Sequence, residues 1–153
     1  MSSTSHNTFV KICALLDSFD WHYERNDEKE FVRYKMESDD LPVEIFITIN
    51  ENNNVLRLLS FFPFKVPEDK RVEMALAICH INSTYINGYF DFDVKTGEIT
   101  FRMNNFVGDG ELGAGALRYM MRIANSMIDD LNDKLFALSK GYITLDQFTE
   151  QVS

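Results

Sequence analysis

The segment at residues 87–103 constrains the fold most, because it reads as two short strands joined by a tight turn. Apolar side chains alternate with polar ones on both sides of the turn: Phe90, Phe92, Ile99 and Phe101. Such alternation predicts a hairpin with one buried face, and Gly97 supplies the positive φ that the turn requires. A four-residue loop places all four side chains on one face, whereas a three-residue loop would put Phe90 opposite Arg102.

The rest of the chain predicts helices and strands in a definite order. Helical apolar stripes lie at residues 5–18, 67–86, 114–139 and 145–151, and strand patterns lie at residues 20–25, 30–37, 43–50 and 55–62. The order is α-β-β-β-β-α-β-β-α, with a short C-terminal helix. Short connections favour antiparallel pairing, so we expect an α+β fold in which helices pack on a mainly antiparallel sheet of about six strands. A single domain is expected over residues 1–153.

Two segments give more specific expectations. Residues 55–62 are apolar at nearly every position, which predicts a strand in the sheet interior with both faces covered, ended by Pro63. In the second helix, a stripe of apolar side chains is predicted to face the core: Val72, Leu76, Cys79 and Tyr85, broadened by Ala75 and Ile78.

Charge and composition exclude several classes of function. The formal net charge is −9, which argues against binding to nucleic acid or anionic membranes. No secretion signal and no segment long and apolar enough to span a membrane can be recognised, so a cytoplasmic location is expected. The two cysteines, Cys13 and Cys79, fall on predicted helix faces and are expected to be free thiols.

One stretch has the spacing of a dinucleotide-binding motif. Residues 108–115 place glycines at Gly108, Gly110 and Gly113 after a strand and before a helix. The preceding strand closes a hairpin, no strand follows the helix, and Asp109 and Glu111 would repel a pyrophosphate. We therefore interpret the segment as a strand-to-helix hinge.

Other candidate chemistry is weak. Asp91 and Asp93 share a strand face, but on a solvated hairpin such a pair usually serves solubility and turn capping. His80 beside Cys79 has the wrong spacing for a chelating pair, so no metal and no cofactor are expected. The methionines Met120, Met121 and Met127 cluster on the third helix, where they are either core residues or the lining of an adaptable partner-binding groove.

Several stretches match a known family pattern. They are VPEDKR at residues 66–71, Ile81 and Asn82, GYFDFD at residues 88–93, and TGEITFR at residues 96–102. In these features the chain resembles YbjN-domain proteins, a family of proposed sensory transduction regulators. The resemblance covers about residues 9–152. It implies a fold similar to that of type III secretion chaperones, which are small, acidic, often dimeric proteins that bind extended protein segments on apolar surfaces.

The resemblance carries no catalytic residues. It implies a non-enzymatic protein-interaction module that acts as a regulator or chaperone-like protein on a protein partner. The alternative is a small-molecule or nucleotide-binding domain that uses residues 108–115, from Gly108 to Gly115. A third hypothesis is a homodimer whose apolar surface is consumed by self-association.

Overall fold

The structure is a computed structural model that describes residues 3–36 and 41–153. Its helices are α1 (Ser3–Ser18), α2 (Arg71–Thr84), α3 (Ala114–Ser139) and α4 (Leu145–Gln151), and a 3₁₀ turn at Glu68–Lys70 precedes α2. Its strands are β1 (Glu24–Asn26), β2 (Phe31–Met36), β3 (Val43–Asn50), β4 (Val55–Lys65), β5 (Tyr89–Phe92) and β6 (Glu98–Phe106). The element order and the α+β class agree with the prediction.

The six strands form one sheet in the order β1-β2-β3-β4-β6-β5, and every neighbouring pair is antiparallel. The predicted hairpin register is confirmed, with Phe90 opposite Phe101 and Phe92 opposite Ile99. The backbone N–H of Asp93 donates to the carbonyl oxygen of Glu98 at 3.0 Å and closes the four-residue loop.

The core lies between one face of this sheet and the helices. Side chains from the five strands β2 to β6 point into it, and these include Val32, Ile45, Ile47, Leu56, Leu58, Phe90 and Phe101. Helix α1 contributes Ile12 and Leu16, while α3 contributes a stripe that runs along its whole length. Alternation in the strands and a period near 3.6 in the helices place these residues on one side of each element.

The first strand is shorter and later than predicted. The segment at residues 20–25 was expected to be extended, but β1 begins only at Glu24. The chain turns at the end of α1, where Asp20 has a φ of 56° and the N–H of Trp21 donates to the carbonyl oxygen of Leu16 at 3.1 Å. Helix capping therefore overrides the strand pattern of this aromatic segment. The predicted end of the second strand, at Glu37, lies outside the described residues.

The prediction that both faces of β4 are covered is wrong. The strand lies in the sheet interior between β3 and β6, but Phe61 on its outer face is 58% exposed. Leu59 is buried on the same face, where its register neighbours are Phe46 and Arg102. Pro63 does not end the strand either. Its missing N–H coincides with a register irregularity opposite β6, while the extended backbone continues to Lys65.

The predicted stripe of α2 is confirmed at Ile78, which is buried, and at Tyr85, which is partly buried against the core, but it is wrong at Val72, Leu76 and Cys79. The helix buries Met74, Ala77, Ile78 and Ile81, whereas Val72 is 75% exposed and Leu76 is 55% exposed. Cys79 is exposed as well, while Cys13 is buried, and both thiols are free. Apolar residues occur around most of this helix, so periodicity alone does not select the face that meets the sheet.

The C-terminal helices match the prediction closely. Helix α3 spans Ala114–Ser139, and the chain leaves it through Gly141, which has a φ of 74°. Thr144 and Gln147 form the predicted capping box, in which the N–H of Gln147 donates to Thr144 Oγ1 at 3.1 Å. Within residues 3–36 and 41–153, no helix is long and apolar enough to cross a membrane.

Candidate functional site

The residues that carry the family resemblance form a structural latch between α2 and the β5–β6 hairpin. Arg71 lies at the start of α2 and reaches the hairpin turn. Its guanidinium donates to the carbonyl oxygens of Lys95 at 2.8 Å and Thr96 at 3.4 Å, and to that of Val66 at 3.1 Å. One side chain thus satisfies several turn carbonyls and fixes the hairpin against the helix.

Asn82 forms the second half of this latch at the free edge of β5. Its Nδ2 donates to the carbonyl oxygen of Phe90 at 3.0 Å, and the N–H of Phe90 donates to its Oδ1 at 2.9 Å. The amide group therefore occupies the position where another strand would pair. An edge closed in this way is protected from addition of a further strand.

The hairpin turn itself is built from Asp93 and Gly97. Asp93 Oδ1 accepts hydrogen bonds from the N–H groups of Lys95 at 2.8 Å and Thr96 at 3.3 Å, and these bonds lower the pKa of the carboxyl group. Gly97 has a φ of 79°, and a Cβ there would collide with the carbonyl oxygen of Val66. The turn therefore requires glycine both for its backbone conformation and for close approach.

The hairpin carboxylates are occupied by structural roles. Asp91 forms an ion pair with Arg102 on the neighbouring strand, and Asp93 caps the turn. His80 Nε2 contacts the carbonyl oxygen of Val152, which joins α2 to the end of the chain. Among the described residues, no cluster of three or more metal-ligating side chains occurs.

The glycine-rich segment is attached to the sheet through Asn54. Asn54 Nδ2 donates to the carbonyl oxygen of Gly108 at 2.7 Å, and the N–H of Val107 donates to the carbonyl oxygen of Asn54 at 3.1 Å. Leu112 is buried and anchors the segment from the other side. A Cβ at Gly113 or Gly115 would meet nothing within 4 Å, so neither position needs glycine for close packing.

The three methionines proposed for partner binding lie in the core. Met120 and Met121 are each 4% exposed and Met127 is 3% exposed. They present little surface to a macromolecule, and their placement fits the core interpretation. Met121 also lines a surface pocket.

A second apolar feature lies on the sheet face opposite the helices, which we call the open face. Phe31, Phe46 and Phe61 point outward from β2, β3 and β4 and form a diagonal line, which we call the aromatic ridge; of these residues, Phe61 is exposed while Phe31 and Phe46 are half-buried. Their ring centroids are separated by 6.0 Å and 5.9 Å in tilted and edge-to-face contacts. Phe106 on β6 is 73% exposed on the same face. The overlap of these side chains makes the ridge continuous across three strands.

Charged side chains flank the aromatic ridge, and most are paired. Arg33 pairs with Glu24, and Arg102 pairs with Asp91. Arg57 lies between Thr48 and Asn104 in the register and has no carboxylate partner among the described residues. The open face therefore combines an apolar ridge with two cations, Lys35 and Arg57, that have no ion-pair partner among the described residues.

A second surface feature is a pocket of about 400 Å³ between α3 and the segment that follows α1, which we call the Trp21 pocket. Its lining residues are Phe19, Trp21, Arg118, Met121, Arg122 and Asn125. Trp21 is held in place by an edge-to-face contact with Tyr34, with centroids 5.4 Å apart. Sequence reasoning missed this pocket, although the single tryptophan of the chain, in a segment too polar for a core strand, was an available signal.

Comparison with known proteins identifies the family. The sequence pattern of the YbjN family, described as "Putative bacterial sensory transduction regulator", matches residues 8–137. The chain belongs to the YbjN family. The latch residues Arg71, Asn82 and Gly97 all lie within the matched range. No protein with a curated description matches the sequence significantly.

Solved structures agree with the fold. The chain resembles the crystal structure of YbjN from E. coli, described as "a putative transcription regulator", with a TM-score of 0.57 and 9% identity over 94% of this chain and 87% of that one. It also resembles an uncharacterised protein from Methanothermobacter thermautotrophicus, with a TM-score of 0.50 and 13% identity over 88% of this chain and 98% of that one. At such low identity, the likeness concerns the fold alone.

Proposed function

We propose that this YbjN-family chain is a non-enzymatic regulator that binds a segment of another protein on its open face. The observation that carries the proposal is the aromatic ridge of Phe31, Phe46 and Phe61. The ridge is contiguous and partly exposed, and contiguous apolar surface that reaches solvent marks interaction sites in proteins. The chaperone-like mode implied by the family resemblance and a cytoplasmic location are part of the same proposal.

Neither edge of the sheet is well suited to pairing with a partner strand, which favours a partner that binds across the open face. Strand β5 has four residues and its edge is closed by Asn82, while β1 at the other edge has only three residues. A partner that extended the sheet would have to displace the Asn82 amide or pair with a very short strand. The face between these edges offers more apolar contact than either edge.

Charge favours a foreign partner over a second copy of this chain. Each copy carries a formal net charge of −9, so self-association brings two strongly acidic molecules together. The unpaired guanidinium of Arg57 beside the aromatic ridge attracts an acidic group. We therefore propose a partner segment that combines apolar side chains with at least one carboxylate.

The test compares two exposed apolar positions on different surfaces. Phe61→Asp alters the aromatic ridge, and the matched control Val72→Asp alters the outer face of α2. Tagged wild-type and variant proteins are used to capture partners from the native cell, and a protein recovered with the wild type is then purified and its affinity measured by calorimetry. We expect Phe61→Asp to weaken that affinity roughly 10- to 100-fold, as for an interface hot spot, and Val72→Asp to leave it unchanged.

Two outcomes would contradict the proposal. Loss of affinity in Val72→Asp alone would move the interface to α2. A wild-type dimer in light scattering that becomes monomeric in Phe61→Asp would assign the open face to a second copy of the chain. Circular dichroism of both variants verifies that each remains folded.

A further inference from the structure

The Trp21 pocket has the size and lining of a small-ligand site. Its volume of about 400 Å³ falls within the range of about 300–1,000 Å³ that such sites occupy. Phe19, Trp21 and Met121 provide an apolar floor and wall, and Trp21 is 37% exposed. The pocket lies on the helix side of the sheet, so it is separate from the open face.

Two arginines on the same side of α3 make the pocket cationic. Arg118 and Arg122 are four residues apart on the helix, so their side chains extend from adjacent turns. The guanidinium of Arg118 lies over the ring of Phe19, 4.3 Å from its centroid, which restricts its orientation while leaving its N–H groups available. Neither guanidinium has an ion-pair partner among residues 3–36 and 41–153, and none of the described residues that line the pocket is acidic.

Asn125 lies where the pocket meets a second cavity. Its side-chain oxygen is buried and has no hydrogen-bond partner among the described residues. Because an amide oxygen and a carboxylate both only accept hydrogen bonds, this atom does not bind an anion, and the two arginines supply the donors of the pocket. Asn125 also lines the adjoining cavity of about 570 Å³, where Asp20 and Asp129 are found.

We propose that the Trp21 pocket binds a small organic monocarboxylate with an aromatic or other apolar body. The carboxylate would accept hydrogen bonds from Arg118 and Arg122, and the apolar body would lie against Trp21 and Met121. A doubly charged phosphate fits less well, because the carboxylates of Asp20 and Asp129 in the adjoining cavity would repel it. The proposal is independent of the protein-binding role of the open face.

The chain provides its own reporter for this site. Trp21 is the single tryptophan, so intrinsic tryptophan fluorescence arises from the pocket alone. The purified full chain is titrated with 3-phenylpropionate, which should change the Trp21 emission in a saturable manner. Propionate lacks the aromatic body and 3-phenylpropionamide lacks the charge, so each should bind at least about tenfold more weakly.

Substitutions test whether the change in Trp21 fluorescence comes from a ligand bound to the arginines of the pocket. Arg122→Gln should weaken binding roughly 10- to 100-fold, the equivalent of lost charge-assisted hydrogen bonds. The matched control Lys134→Gln, which removes a cation further along α3 and outside the pocket, should bind like the wild type.

Several results would overturn the assignment. These are the absence of a saturable change up to about 10 mM probe, equal binding of the neutral amide, unchanged affinity in an Arg118→Gln/Arg122→Gln double variant, and competition by inorganic phosphate at equal concentration. A capped Phe-Asp dipeptide that binds more tightly than 3-phenylpropionate would also overturn it. That result would show that the pocket recognises an aromatic and a carboxylate side chain of a protein segment and not a free acid.

Discussion

The two faces of the sheet carry similar numbers of phenylalanines but use them differently. On the buried face, Phe90 and Phe101 form an edge-to-face pair with centroids 5.2 Å apart, and they are 2% and 0% exposed. On the open face, Phe46 and Phe61 form a pair at 5.9 Å, yet Phe61 is 58% exposed. Aromatic content therefore does not identify the core side of a strand. A phenylalanine pair is buried only where helices pack on it, and its burial determines how much it contributes to stability.

Strand β3 shows the signal that does separate the faces. Its buried side consists of Val43, Ile45, Ile47 and Ile49, whereas its open side carries the single apolar residue Phe46 among Glu44, Thr48 and Asn50. Strand β4 lacks this contrast, because Leu59 and Phe61 on its open side are as apolar as Leu56 and Leu58 on its buried side. An exposed surface made of apolar residues thus has the same sequence pattern as a second core.

Truncating one aromatic residue on each face gives the largest expected difference. Phe101→Ala should destabilise the protein by about 3–5 kcal/mol, because it opens a cavity between the sheet and the helices. Phe61→Ala removes mainly an aromatic contact at the surface and should cost about 0.5–1.5 kcal/mol. Denaturant unfolding measures both values. Equal losses would show that the open face is also part of the folded core.

Helix α2 extends the same comparison to a helix with apolar residues on opposite sides. Met74 is 0% exposed, and Met74→Ala should cost about 2–5 kcal/mol. Leu76→Ala, two positions along and on the outer side, should change stability by no more than about 0.5 kcal/mol. Thermal and denaturant unfolding distinguish the two. The reverse ranking would restore the stripe of Val72, Leu76 and Cys79 as the core face.

A substitution at Asn82 tests whether this one side chain closes the edge of the sheet at β5. Asn82→Ala leaves the N–H and carbonyl groups of Phe90 without their partners and should cost about 1–3 kcal/mol. Amide exchange of Phe90 should accelerate by a matching factor, while Ser83→Ala, at the exposed neighbouring position, should alter neither quantity. Unchanged exchange at Phe90 would mean that the edge is protected by other contacts.

The smallest effect concerns Asp93 and its dependence on pH. Hydrogen bonds from the N–H groups of Lys95 and Thr96 lower the pKa of this carboxyl group in the folded protein. Its stabilising contribution is therefore present above the unfolded pKa of about 3.9 and is lost as pH falls through the folded value. The stability difference between wild type and Asp93→Asn should be small at pH 7 and should disappear in strong acid.

The control for this pH dependence is Ser83→Ala, an exposed substitution that changes no titratable group. Its stability difference from the wild type should be the same at pH 7 and in strong acid. A wild-type advantage over Asp93→Asn that grows as pH falls would contradict the role of the charged carboxylate in the turn.

The sequence by itself determined those elements whose signals are local. The hairpin register followed from alternation around Gly97, and the limits of α3 and α4 followed from a long apolar stripe, a glycine at the helix end and the capping box of Thr144 and Gln147. Each of these signals depends on residues a few positions apart. Backbone geometry and capping hydrogen bonds specify such features before any distant segment is in place.

Only the tertiary structure decided which apolar surfaces are covered. The buried side of α2, the open side of β4 and the Trp21 pocket all depend on where helices α1 and α3 pack, and that packing joins segments far apart in the chain. A side chain such as Phe61 or Leu76 has the same hydrophobicity whether it is buried or exposed, so its burial is a property of the assembled elements. The candidate binding surfaces lie where the folded chain leaves such residues uncovered.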